Sequence, residues 1–368
     1  MGRQSIAHVL ECCAETHVKF ARVFATGLLV AGVAATWGGV SATEPDGPKA
    51  HRFQFTQLEM AVPVRLVFYC ADATTATGAA EAAFKRIGHL NSVLSDYDPQ
   101  SELRRFERAT SEGNAVPVGD DLWRVLNYAE VISRRSEGAF DVTVGPIVRL
   151  WRRTRRQREL PSPERLAAAR ERVGYRLVEL NDEDQSVRLL KPDMRLDMGG
   201  IAKGYAADEA LGVLKKIGIN RALIDAGGDI VLGDPPPGQS GWRVGIARLE
   251  ADGPPSRVLL LSNCAVATSG DTWQFVEIDG RRYSHIVDPR TGRALTDHSS
   301  VTVVAPNGIT ADSLASAVSV LGPRQGLLLI EATPGCAALI VRAPDGKAEL
   351  QESSGWKELR TDSSFRHS

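Results

Sequence analysis

Cysteine, charge of one sign and long apolar runs are all scarce in this chain. Its 368 residues include five cysteines. Cys12 and Cys13 precede an apolar N-terminal stretch, leaving Cys70, Cys264 and Cys336, an odd number that allows at most one internal bridge. No Cys/His spacing fits zinc, so a disulfide scaffold and a zinc module are both excluded. The three cysteines are expected to be buried small apolar residues. Net charge is −1, which removes any global electrostatic case for nucleic acid as a partner. No repeat of solenoid period is present. Lys203 follows Gly199 and Gly200, but the spacing is not G-x-x-x-x-G-K-[ST] and Gly204 stands where the hydroxyl would be. No G-x-G-x-x-G follows a strand. A P-loop NTPase and a Rossmann dehydrogenase are therefore excluded.

What is present is enough apolar content, 43%, to bury a sizeable core. Lys19 and Arg22 precede an apolar stretch at 23–37, followed by Val40-Ser41-Ala42, a small-x-small cleavage signal. Residues 1–42 thus read as an export signal, or as an anchor if uncleaved, although the stretch is short for a membrane span. A linker at 43–52, a catalytic domain at 53–345 and a tail at 346–368 would follow.

Patterning gives the elements. Residues 52–68 read as strand material interrupted by Pro63, and 76–94 carry a helical stripe through Ala80, Ala83, Phe84, Ile87, Leu90 and Leu94. Asp120 is expected to cap a helix that Gly138 ends, and Ser162-Pro163 to open another. Segments 176–180 and 187–190 flank a polar hairpin turn. Ala202 to Ile217 predict a helix stopped by Gly218. Asp279-Gly280 is a strong hairpin signal between 273–278 and 281–287. Residues 300–304 predict a strand, with Thr310 capping the next helix. Strands and helices alternate too irregularly for a doubly wound sheet, so the expected class is α+β, one large domain of mixed sheets and helices.

Three segments carry chemistry. In residues 195–208, Gly199-Gly200 opening a helix lets backbone approach a phosphate, and the free N–H groups there attract anions. Asp312 and Ser316, four apart, project from one helix face and offer hard oxygens to Mg²⁺. His285, in Ser284-His285-Ile286-Val287-Asp288-Pro289, can move a proton near neutral pH. Together they point to chemistry on a nucleotide pyrophosphate. Read alone, Asp197 is a helix cap, Asp312 a first-turn charge, Lys203 a solvated charge and His285 an ordinary strand residue.

In this order the three segments closely resemble the ApbE family, the FAD:protein FMN transferases. Residues 94–103, with Ser95, Tyr97, Ser101 and Leu103, residues 138–146 around Ala139-Phe140-Asp141, and residues 222–230 are similar to further family segments. The resemblance implies an α+β fold and the transfer of FMN from FAD to a Thr or Ser hydroxyl, with AMP released. It implies Mg²⁺ on Asp312, Ser316 and the Gly200 carbonyl. FAD would be contacted by Met60, Tyr97, Ala139, Phe140, Asp141, Asp197, Lys203 and Ile286, with His285 as candidate base. The acceptor would be another protein, a membrane redox subunit facing the same compartment, since the chain has no acceptor motif of its own.

The chain departs from the family pattern at several places. Ser316 stands where threonine is usual, Met60-Ala61-Val62 where Met-Gly-Thr is usual, and Trp273 near a usual tyrosine. Six arginines at 149–158 replace a more apolar stretch; a solvated loop, or docking to an acidic partner or anionic membrane, are the two readings. FAD hydrolysis to FMN and AMP, and flavin binding without catalysis, remain the alternatives to transfer.

Overall fold

A computed structural model describes residues 50–110, 113–249, 254–272, 274–344 and 347–362. The export segment, most of the linker and Trp273 lie outside the described residues. Strand β1, His51–Glu59, begins inside the expected linker and pairs with β2, Val62–Cys70. The break between them is not Pro63 but Met60-Ala61, whose φ angles of 49° and 62° give the two-residue turn that matches strand twist. Pro63 stays in β2 opposite Leu58.

Helices α1 (Ala73–Leu94) and α2 (Glu102–Ala109), strand β3 (Val116–Pro117) and helices α3 (Asp120–Arg135), α4 (Gly145–Gln157) and α5 (Pro163–Arg170) follow. Next come β4 (Val178–Asn181), β5 (Ser186–Leu189), α6 (Ala202–Lys216), β6 (Ala222–Ala226), β7 (Asp229–Leu232), β8 (Trp242–Ile246) and β9 (Arg257–Leu261). The chain continues with β10 (Ala265–Gly270), β11 (Phe275–Ile278), β12 (Arg281–Ser284), β13 (Ser299–Ala305), α7 (Gly308–Glu331), β14 (Ala337–Arg342), β15 (Glu349–Glu352) and α8 (Ser354–Lys357).

Eight strands form one sheet in the order β1-β2-β6-β7-β10-β13-β14-β15, antiparallel at every step. This is the expected α+β architecture. Period-two alternation sorts the side chains. Leu66, Phe68, Ile224, Ala267, Val303 and Ile340 face a core shared with α1, α6 and α7. Val67, Leu223, Val266, Val304 and Leu339 face Trp242, Leu259 and Trp356 on the other side. The expected tail is therefore part of the fold: β15 extends the sheet and α8 buries Trp356. A third cluster, Ile147, Trp151, Ala169, Val287 and Ala294, ties α4 and α5 to the loop after β12. Trp151 donates to the Gly292 carbonyl at 2.9 Å and stacks on Tyr283.

Two caps differ from expectation. Gly119, not Asp120, caps α3, and its N–H donates to Glu102 at 2.7 Å. Asn307, not Thr310, caps α7 and accepts from the Thr310 N–H at 3.1 Å. In both cases the expected cap sits inside the first turn. Helix α7 is apolar and long, yet it is a core helix against β10 and β13, broken at Gly322, where φ is 71°. All three cysteines are free; Cys70 is buried as expected, whereas Cys264 and Cys336 are only half-buried.

Candidate active site at the crossing of two helices

The N-terminal turns of α6 and α7 meet, and each helix supplies a carboxylate to the other. Asp208 of α6 accepts from Gly308 N–H (2.6 Å) and Ile309 N–H (2.9 Å) at the start of α7. Asp312 of α7 accepts from Gly204 N–H at 3.1 Å. Free N–H groups at helix starts are the natural partners of these charges. Burial nevertheless pushes the Asp208 carboxyl up to about 6. Helix α6 begins at Ala202, so Gly199 and Gly200 lie in the turn just before it and not in its first turn.

The expected hard-oxygen set converges here. A Cβ on Gly200 would sit 2.6 Å from the Ser316 Oγ and 3.4 Å from the Phe140 ring. A side chain at this position would push the Ser316 hydroxyl aside, so the absence of a Cβ is what lets the Gly200 turn lie close against Ser316. Asp312 stands one turn before Ser316 on the same helix. Among the described residues, Gly204 N–H is its only hydrogen-bond donor, and the Ser316 hydroxyl has no hydrogen-bond partner. Burial raises the Asp312 carboxyl above its usual range, against the pull of Lys203. No group of three His, Cys, Asp or Glu converges among the described residues. The donors here are instead one carboxylate, one hydroxyl and one backbone region, oxygen chemistry that suits Mg²⁺ completed by water and substrate phosphate.

Lys203 is neither a solvated charge nor free to swing. Its ammonium pairs with Asp229 at the start of β7. Burial works against the ammonium, but Asp312 and Asp229 outweigh it and hold Lys203 protonated. Burial and the Asp312 charge push Asp229 up to about 7. His285 follows β12 and lies within electrostatic range of Lys203, Arg155 and Asp271. Its Nδ1 sits 3.2 Å from the Gln274 carbonyl. Donation there leaves Nε2 as the acceptor. Burial lowers the imidazole pKa, so the ring is neutral near pH 7.

A second cluster flanks the first. Asp197 Oδ1 accepts from Gly199 N–H at 2.9 Å, which closes the turn ahead of α6; it does not cap the helix, whose N-cap is Ile201 with no side-chain cap. Its Oδ2 accepts from Arg152 at 2.9 Å, and Arg152 also donates to Asp96 at 2.6 Å. The Arg152 guanidinium lies 4.6 Å from the centre of the Tyr97 ring. Tyr97 is 74% exposed, a supported aromatic face open to a planar ligand. The arginine run is thus a helix, α4, and not a loop. Nothing in a run of arginines marks the one whose face turns inward, so the sequence does not single out Arg152.

The remaining expected residues divide. Phe140 touches the Gly200 turn. Ala139 is buried, and the Asp141 carboxylate is consumed by Thr143 N–H (2.8 Å), Thr143 Oγ1 (2.6 Å) and Tyr175 N–H (2.7 Å). Only the backbone of those two residues is left to offer a ligand. Ile286 is half-buried, with its N–H on Ser284 Oγ at 3.0 Å. Met60 packs against the main core from the β1–β2 turn, beside Val62, which abuts Gly227. Asp288 accepts from the Arg290 side chain at 2.9 Å, so Arg290 is paired. Asp229, Asp96 and Asp208 are site residues to which sequence reasoning assigns no role.

A model of the ApbE family matches residues 60–340. The chain belongs to the ApbE family. It is 32% identical over 283 residues to the FAD:protein FMN transferase of Haemophilus influenzae, covering 73% of this chain and 80% of that relative. The Escherichia coli K12 enzyme of the same name is 30% identical, over 77% of this chain and 83% of its own length. Among solved structures, the flavin transferase ApbE from Vibrio cholerae superposes with a TM-score of 0.76 at 29% identity, covering 84% of this chain and 100% of that one. The ApbE protein from Thermotoga maritima gives 0.75 at 28% identity, covering 85% and 100%.

Proposed function

We propose that this enzyme transfers the FMN moiety of FAD to a Thr or Ser hydroxyl of an acceptor protein and releases AMP. The observation that carries the reading is the approach of the Gly200 turn to Ser316, one helical turn after Asp312 on α7, with Lys203 within electrostatic range of both Asp312 and His285. Family membership and the activity of the FAD:protein FMN transferases the chain is similar to support it.

Asp312, the Ser316 hydroxyl and the Gly200 carbonyl would hold Mg²⁺. When bound, Mg²⁺ supplies a Lewis acid that neutralises charge on the pyrophosphate. The chain's own residues do the rest. Tyr97, braced by Arg152, offers a stacking face, and the side-chain-free turn at Gly199-Gly200 lets the backbone, with the Gly200 N–H, come close to phosphate. His285 Nε2 accepts the proton of the incoming hydroxyl as the new O–P bond to FMN forms. The bond between FMN phosphorus and the bridging oxygen breaks, and that oxygen leaves with AMP. Lys203, fixed by Asp229, keeps a positive charge beside the reacting phosphates.

The acceptor acts in trans, and its compartment is the one beyond the export signal, with the chain cleaved near Ala42 or held at the membrane. Incubating the pure protein with FAD and Mg²⁺, with and without acceptor, tests the reaction. Acceptor-dependent AMP release with flavin fixed on the acceptor is expected. Equal release without acceptor would mean hydrolysis, and a yellow protein with no release would mean binding only. Cell fractionation with N-terminal sequencing of the purified chain tests export; an intact cytoplasmic chain would refute it.

A further inference from the structure

Helix α4 presents two neighbouring faces. Arg152 and Arg155 turn toward Tyr97, Asp197 and Gln274. At 100° per residue, Arg149, Arg153 and Arg156 fall within about 60° of one another on the adjoining face. That face and α5 enclose a cleft of about 710 Å³ lined by Arg149, Arg153, Arg156, Arg165, Arg172 and Arg195, with Leu150 and Ala169 between them. One carboxylate, Asp193, lines it. Arg195 is paired with Glu107, whereas among the described residues Arg149, Arg156 and Arg165 have no ion-pair partner. In a chain of net charge −1, Arg149, Arg156 and Arg165 leave uncompensated positive charge gathered in one concavity.

We infer that the cleft between α4 and α5 docks an acidic polypeptide segment of the acceptor protein. The inference rests on the transfer reading above, because it names how the partner of that site is held. Three observations favour a polypeptide. Arg155 of α4 lies within electrostatic range of His285, so a hydroxyl arriving at His285 comes in beside α4, one helix width, about 10 Å, from a segment lying in the cleft. The cleft is concave, with Pro146, Leu150, Ala168 and Ala169 among the arginines of its lining, a shape that an extended chain with carboxylates can enter and a flat bilayer cannot. Arginine forks pair bidentately with carboxylates, and opposite charge across an interface fixes register and speeds encounter.

The test is the binding of a fluorescein-labelled glutamate octapeptide to the full chain, followed by anisotropy. Charge reversal at three exposed positions (R149E, R156E and R165E together) is expected to weaken binding by about tenfold or more, and affinity should fall as salt rises. Glutamine at the same positions should give a smaller loss. A matched variant elsewhere, K215E, K216E and K357E together, should bind like wild type. Equal loss in the matched variant would reduce the effect to net charge and overturn the proposal. So would absence of peptide binding by the wild type. Binding to phosphatidylglycerol vesicles in place of the peptide would also overturn it, and would assign the cleft to membrane. Acceptor-independent AMP release from FAD is measured in parallel and should match in all variants. If the wild type releases no AMP with or without acceptor, the transfer reading fails by itself, and the peptide titration still decides the cleft.

Discussion

A Cβ on Gly204 would lie 2.1 Å from the carbonyl oxygen of Gly308. These two glycines are the point at which α6 and α7 touch backbone to backbone. The reciprocal carboxylates follow from that contact. Only with the helices this close does Asp312 reach Gly204 N–H and Asp208 reach Gly308 N–H. The same approach brings Ser316 against Gly200, so the candidate metal site is a product of the crossing.

Gly204→Ala should therefore damage fold and activity together. The added methyl meets backbone, which cannot step aside, and overpacking of this kind costs about 1–3 kcal/mol or more. On the same helix, a methyl added at Gly212 would have nothing within 4 Å of it. Gly212→Ala should stabilise by roughly 0.5–1 kcal/mol through backbone entropy and helix propensity. Urea midpoints of the two variants check the contrast; equal midpoints would remove the crossing argument.

Asp312→Asn keeps an oxygen for the Gly204 N–H and removes the charge. It should fold, yet lose Mg²⁺-dependent turnover, whereas Asp312→Ala loses both the turnover and the hydrogen bond. Ser316→Ala should raise the Mg²⁺ requirement, and Ser316→Thr should be nearly neutral. Turnover titrated against Mg²⁺ at saturating FAD reads these effects. Wild-type behaviour of Asp312→Asn would take Asp312 out of the metal site.

His285→Ala should lower transfer by roughly 10²–10⁴-fold, the range for a lost acid–base catalyst, with little change in FAD affinity. Burial lowers the imidazole pKa, so Nε2 stays a free base further into acid than an ordinary imidazole does. As pH falls through that lowered pKa, the ring takes up a proton and the rate drops. The acidic limb of the wild type is thus expected below the reference value of about 6.5. Rate–pH profiles of both proteins decide: an acidic limb that survives in His285→Ala belongs to another group.

Removing Arg152 leaves the Asp197 carboxylate without its charged partner and takes away the brace under Tyr97. Arg152→Ala should cost roughly 1–3 kcal/mol, less than a fully buried pair, because the arginine side chain is still 26% exposed. FAD binding should weaken as well. Arg152→Lys keeps the charge but not the two-armed geometry that spans Asp96 and Asp197, so it should recover stability only in part. Denaturant unfolding and FAD titration of the pair of variants measure this; unchanged FAD affinity in Arg152→Ala would separate the cluster from the ligand.

Local chemistry is legible wherever the signal repeats over a few residues. The Asp279-Gly280 turn stands where the dipeptide predicts it, with φ of 51° and 71°, because few other residues tolerate those angles. Ser162-Pro163 opens α5, and Gly218 ends α6 with φ of 88°. Pro63 misplaces the β1–β2 break because Met60 and Ala61 carry no turn signature, and the register of the sheet forces positive φ on them. A boundary at 345 falls too early because β15 is a short edge strand with an exposed pattern, stabilised by its neighbour β14 and not by its own sequence.

By itself the sequence determined the faces: which positions of each helix and strand are apolar, where turns with an Asp-Gly or Ser-Pro signature fall, and that Asp312 and Ser316 share one side of a helix. Periods of 2 and 3.6 residues are local, so they survive in a string of letters. Tertiary structure alone decided which charges meet. Lys203 pairs with Asp229 across 26 residues, Arg152 with Asp197 across 45, and Asp208 caps a helix start 100 residues away. A carboxylate looks the same in the sequence whether it ends up in solvent or against a buried ammonium. Its partner is fixed only when the apolar faces pack and carry the polar groups at their edges into the same low-dielectric space.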